Sequence, residues 1–197
     1  GVPYTEEQNA LAVKNVAEAV VSAVHDRRLT TDDGHRSSVV SRLVFEPGRA
    51  LIASSAVALY TVGSIKEIHG IRTYVSVDGG MGDNIRPALY GAQYTARVAN
   101  KMHPEQSRRM NDAATTRVAI AGRYCEQGDI LINEVALPRV SAGDLIVIPA
   151  AGAYQIPMAS NYNLIPRPAV IAVRDGQARI IRRRETVDDM LRCDIDK

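Results

Sequence analysis

The chain has 197 residues, 46% of them apolar and 23% charged, with 24 basic against 22 acidic side chains and a net charge of +2. That apolar share is enough to bury a core, which excludes intrinsic disorder, and the near balance of charge gives no bulk electrostatic footprint for nucleic acid. Apolar runs are short and broken by Arg, Asp or Gly, which excludes a membrane-spanning helix, and no basic stretch followed by an apolar one opens the chain, so no secretory signal is read.

The first predicted element is a helix. Thr5 and Gln8 form a capping pair, and Ala10, Val13, Ala17, Val20 and Val24 recur at helical spacing until about His25. A polar loop, Asp26 to Ser38, precedes Val39 to Phe45, a β-branched apolar run short enough to be a doubly buried strand. It ends in Glu46-Pro47-Gly48-Arg49. Helix, loop, buried strand and turn is the cadence of one unit of an α/β barrel. Strand-like segments then dominate: Val57 to Ile68, Thr73 to Val77, Arg117 to Ala121, Asp129 to Val135 and Asp144 to Ile148. Asp83 and Asn84 are candidate N-caps for a short helix over Ile85 to Leu89. Asp175-Gly176 between Ala169–Arg174 and Gln177–Arg183 predicts a hairpin, because both residues tolerate positive φ. Thr186 caps a last helix through Leu191. The sum is a mixed α/β and β chain: the end of an α/β barrel over residues 1–53, a β domain over 54–184 and a C-terminal helix over 185–197.

Four segments could carry chemistry. In Glu46-Pro47-Gly48-Arg49, at the end of a barrel-type strand, an acid and a base could face one anionic, nitrogenous ligand, or simply pair on a surface turn. Asp78 to Tyr90 places three glycines before a helix, so their backbone N–H groups could cradle an anion. Arg86 and Tyr90 lie four apart on one face, either as a carboxylate clamp or as an exposed stack. Cys125 beside Glu126 in the loop Gly122–Asp129 is either a proton donor with a substrate anchor or an ordinary free thiol. Tyr154, in a run of small residues leading to Met158–Asn163, projects a ring and a hydroxyl or is simply packed. Cys193 reads as packing filler. Two cysteines are too few for a disulfide framework and fit a cytoplasmic protein with reduced thiols. His25, His35, His69 and His103 have no metal-ligand spacing, so no metal site is expected.

Together, the stretches Glu46–Arg49, Val75–Tyr90, Cys125–Asp129 and Gly143–Pro168 resemble the diaminopimelate decarboxylase family, pyridoxal-phosphate enzymes of the alanine-racemase-like barrel class. The resemblance runs over essentially the whole chain and covers the C-terminal part of a family member. It implies the end of a (β/α)8 barrel followed by a Greek-key-like β-sandwich or barrel. It implies decarboxylation of meso-2,6-diaminopimelate to L-lysine, in a cytoplasmic homodimer with a shared active site and no nucleic-acid or membrane partner.

Position by position, the resemblance makes Glu46 the acid on the pyridine nitrogen of pyridoxal 5'-phosphate. It sets Pro47, Gly48 and Arg49 at the cofactor, with Arg49 also reaching substrate. Arg86 and Tyr90 become the clamp for the distal carboxylate. Cys125 resembles the proton donor and Glu126 the acceptor for the distal ammonium, delivered across the dimer interface. Tyr154 would lie against cofactor and substrate. Gln127 stands where the family pattern has Ser. The family's cofactor-attaching lysine has no counterpart among Lys14, Lys66, Lys101 and Lys197. The chain alone is therefore expected to be inactive without the missing N-terminal barrel. The competing expectations are a non-catalytic dimerising or regulatory module, and a related decarboxylase for another amino acid.

Overall fold

A computed structural model describes residues 13–26, 44, 46–101 and 115–195. The start of the first predicted helix, the loop after it, His35 and His103, nearly all of the predicted strand Val39–Phe45, and Lys197 lie outside the described residues. Helix α1 spans Val13–Asp26, with Lys14 and Glu18 paired one turn apart at 3.7 Å. Pro47 then starts α2, Gly48–Ile52, which runs into a 3-10 turn over Ala53–Ser55. The sequence reading expected only a turn at Glu46–Arg49. Pro is well suited to a helix start, and Ala50, Leu51 and Ile52 carry the helix on.

The predicted strands are present with shifted ends. They are β1 Ala58–Ile68, β2 Arg72–Val77, β4 Thr115–Ala121, β5 Ile130–Pro138 and β6 Leu145–Ile148. The two-residue β3, Arg97–Val98, was not anticipated because it is too short to show a period. These strands form one sheet in the order β3-β6-β1-β2-β4-β5. All pairs are antiparallel except β2 with β4. The end strands β3 and β5 also approach each other, so the sheet curls into a nearly closed barrel. Register slips between Val62 and Ser64, at Gly63, where a residue without a side chain accommodates the bulge.

Alternate residues fill the interior: Tyr60 and Val62 from β1, Val75 and Val77 from β2, Ile146 and Ile148 from β6, with Ile120, Leu131 and Leu137 between them. This period of two is the pleat of half-buried strands. β7, Val170–Arg174, and β8, Gln177–Arg182, form a separate two-stranded ribbon. Its turn has Asp175 at φ 50 and Gly176 at φ 73, as the Asp-Gly pair predicts. The last helix, α5 Val187–Leu191, carries the Thr186–Asp189 capping box. Among the described residues no helix is long and apolar enough to cross a membrane.

Candidate active site

Helix α3, Arg86–Tyr90, presents its first and last residues on one face. The Arg86 guanidinium carbon lies 5.0 Å from the Tyr90 ring centre and 4.7 Å from that of Tyr154. A guanidinium lying against two phenol rings gains a cation–π attraction from each, and its planar fork is the donor pattern that matches a carboxylate. Tyr154 reaches this position from the loop before α4, Gln155–Met158. Its backbone is left-handed, φ 69, and its side chain is exposed rather than packed. A non-glycine residue in that region carries strain, which marks its placement as imposed by its surroundings.

The loop bearing Tyr154 is anchored to the 3-10 turn that continues α2. Gly152 N–H donates to the Ala53 carbonyl at 2.9 Å and Ala151 N–H to that of Ala56 at 2.9 Å. Ala53, Ala150 and Ala153 form a small buried cluster there. A side chain at position 152 would overlap the Ile52 carbonyl. Glu46 and Pro47, both exposed, precede this helix, and Gly48 and the half-buried Arg49 open it. Small residues at 150–153 are thus what lets the Tyr154 loop lie on the element that Glu46–Arg49 begins.

A second constellation surrounds Cys125. Its exposed thiol lies 4.0 Å from a Glu126 carboxylate oxygen and 4.0 Å from the Asn163 amide nitrogen. The Tyr162 hydroxyl donates to Glu126, which raises the Tyr162 pKa. The Tyr162 and Tyr124 rings are 5.6 Å apart. Tyr162 and Asn163 lie in the stretch from Tyr154 through Asn163, where the sequence assigns a role only to Tyr154 and the small residues. Tyr162 meets Glu126 across 36 positions and Asn163 meets Cys125 across 38, which leaves no local signal. Cys193 is exposed, so it is not packing filler.

The glycine loop between β2 and α3 corrects two expectations. Its N–H groups do not wait for an external anion: Gly80 N–H donates to Asp83 at 3.1 Å and Met81 N–H to Asp129 at 2.6 Å. Nor do Asp83 and Asn84 cap α3 in the expected way; Ile85 is the cap residue, without a side-chain bond. Asn84 is 2% exposed, and its oxygen accepts from Arg86 N–H at 3.3 Å. Burial holds the carboxyls of Asp83 and Asp129 above the ordinary range, against the pull of their backbone donors. The Tyr124 phenol, packed among Asp83 and Asp129, is pushed up to about 12, with burial the main cause.

Comparison with known proteins gives a consistent picture. A protein-family model described as "Pyridoxal-dependent decarboxylase, C-terminal sheet domain" matches residues 16–152. The diaminopimelate decarboxylase of Bacillus subtilis (strain 168) is 43% identical over 195 residues, which are 99% of this chain and 42% of that protein. That of Synechocystis sp. is 43% identical over 197 residues, 98% of this chain and 39% of the relative. Among solved structures, diaminopimelate decarboxylase from M. jannaschii in complex with L-lysine superposes with a TM-score of 0.79 at 31% identity, covering 100% of this chain and 41% of that one. The Helicobacter pylori enzyme complexed with L-lysine gives 0.74 at 30% identity, covering 98% and 42%. The chain therefore spans about two-fifths of the length of these relatives.

Proposed function

This chain belongs to the pyridoxal-dependent decarboxylase family, and from that premise we propose that it forms the C-terminal part of an enzyme that decarboxylates meso-2,6-diaminopimelate to L-lysine. What carries the reading is the Arg86 guanidinium set against the rings of both Tyr90 and Tyr154. A substrate with two amino-acid ends demands that one be held while the other reacts. Arg86 and Tyr90 hold the distal carboxylate, and Glu126, fixed by Tyr162, receives the distal ammonium. An amino acid without a distal carboxylate has no use for the Arg.

The donor set also suits pyridoxal phosphate. Glu46 offers a carboxylate for the ring nitrogen, Arg49 and the unobstructed Gly48 backbone suit the phosphate beside Pro47, and Tyr154 offers a ring face. When bound, this cofactor supplies an electron sink for the carbon that loses CO2. Cys125 then delivers its thiol proton to that carbon. The lysine that attaches the cofactor is supplied from outside this chain: Lys14 pairs with Glu18, Lys101 with Asp144, and Lys66 is exposed on β1. The protruding Cys125–Gly128 loop suits delivery to a neighbouring subunit in a homodimer with shared sites.

The test is co-expression with the barrel portion of a relative and measurement of CO2 release from meso-diaminopimelate with cofactor supplied. Turnover is expected, and its absence from an assembled, cofactor-loaded protein overturns the proposal. In the active protein, Arg86→Ala removes charge-assisted bonds worth roughly 1.5–3 kcal/mol, so KM for the diacid rises about 10- to 100-fold while kcat falls less. Cys125→Ala does the reverse, lowering kcat with little effect on KM.

A further inference from the structure

We propose that Asp129 is a positioning residue whose buried carboxylate joins the loop carrying Arg86 to the loop carrying Cys125 and Glu126, so that both are held as one body. One carboxylate oxygen accepts the Met81 N–H at 2.6 Å and the other accepts the Tyr124 N–H at 2.7 Å. The residue is 3% exposed. Met81 lies 48 positions before Asp129, five residues ahead of Arg86; Tyr124 directly precedes Cys125.

A turn between β4 and β5 does not require this reach. It is closed locally by Asp129 N–H to the Glu126 carbonyl at 3.0 Å and Gly122 N–H to the Asp129 carbonyl at 2.8 Å. Only a carboxylate offers two acceptor oxygens and no donor to two converging N–H groups; Asn would turn an N–H toward one of them. The surroundings are cut to fit it. A Cβ on Gly80 would come within 2.5 Å of one Asp129 oxygen, and a Cβ on Gly122 would overlap the other. A second strap, Arg123 N–H to the Gly79 carbonyl at 2.9 Å, runs beside the first.

The function of the two arms rests on the decarboxylase reading, but the joint is a property of this chain and is tested on it directly. In a Cys193→Ser background, Asp129→Asn frees the Cys125 arm, and alkylation of Cys125 by iodoacetamide accelerates about tenfold at fixed pH. A folded Asp129→Asn chain, judged by circular dichroism, that alkylates at the parent rate overturns the joint.

Should the variant fail to fold, amide NMR of the parent chain decides. The Met81 and Tyr124 N–H resonances shift with one common midpoint, above the ordinary carboxylate range, and Gly80 follows Asp83 separately. Unrelated midpoints, or no movement, overturn it. The other ionisable groups around the joint are Asp78, Asp83, Tyr60, Tyr94, Tyr124, Arg123 and Arg184. In the assembled enzyme Asp129→Asn lowers kcat and raises KM together, unlike either arm's own variant. An assembled enzyme with no turnover removes the decarboxylase reading, while alkylation and NMR still decide the joint.

Discussion

Glu185 accepts more hydrogen bonds than any turn requires. Its two oxygens take the Arg167 side chain, the Arg167 N–H at 3.0 Å and the Asn161 amide at 2.7 Å. The Arg167 guanidinium first, and the Asn161 and backbone donors after it, lower its pKa to about 2. Because the folded value lies below that of an unfolded glutamate, the stabilisation is fully present above about pH 4.3 and is lost as pH falls toward 2. Thermal melts of the parent should therefore drop across that window, and Glu185→Gln should lower the melting temperature at neutral pH while flattening the acid limb. An equally steep acid limb in the variant would assign it to other carboxylates. The same bond anchors Asn161, next to Tyr162, so it steadies the residue that fixes Glu126. None of this was legible in the sequence. Arg167 and Glu185 are 18 positions apart, Met81 and Asp129 48, and no local pattern records such pairings. The acid, the thiol and the Arg-Tyr pair of the candidate site were legible, because adjacency or helical spacing sets them side by side.

Elements with chemistry at their ends were readable. The Thr186 side chain accepts Asp189 N–H, while Asp189 accepts Thr186 N–H at 2.8 Å, as the residue types predict. Thr186→Ala should cost about 1 kcal/mol, seen in urea denaturation as a lower midpoint at unchanged slope. Asp189→Ala should cost more, since Asp189 also holds Arg183 at 2.7 Å. The Asp-Gly hairpin was readable because positive φ limits its residue types. By contrast α2, α4 and β3 are five, four and two residues long, below the length at which periodicity shows. Asp83 and Asn84 misled because both have cap chemistry, but Asp83 is drawn to Gly80 and Asn84 is sealed into the core.

At the scale of the whole molecule, the curled sheet buries a core but leaves Leu59 and Ile65 of β1 exposed, and the β7–β8 ribbon exposes a whole apolar face. Ile171 pairs with Ile180, and Val173 lies on the same face; they are 55%, 65% and 73% exposed. A two-stranded ribbon with a bare apolar face and free edges invites association. Scattering per unit mass of the chain should rise with concentration, and Val173→Lys should flatten that rise without changing the melting temperature. Assembly with the barrel portion should suppress it as well, if that portion covers the ribbon.

The carboxylate at position 129 reaches beyond the kinetics of one enzyme. Because its oxygens fill the space that side chains at 80 and 122 would need, these three sites are one unit of inheritance. A side chain at 122 needs a smaller residue at 129, and one at 80 needs that and a displaced Tyr124 ring. Substitutions at these widely separated positions are therefore coupled through one shared volume.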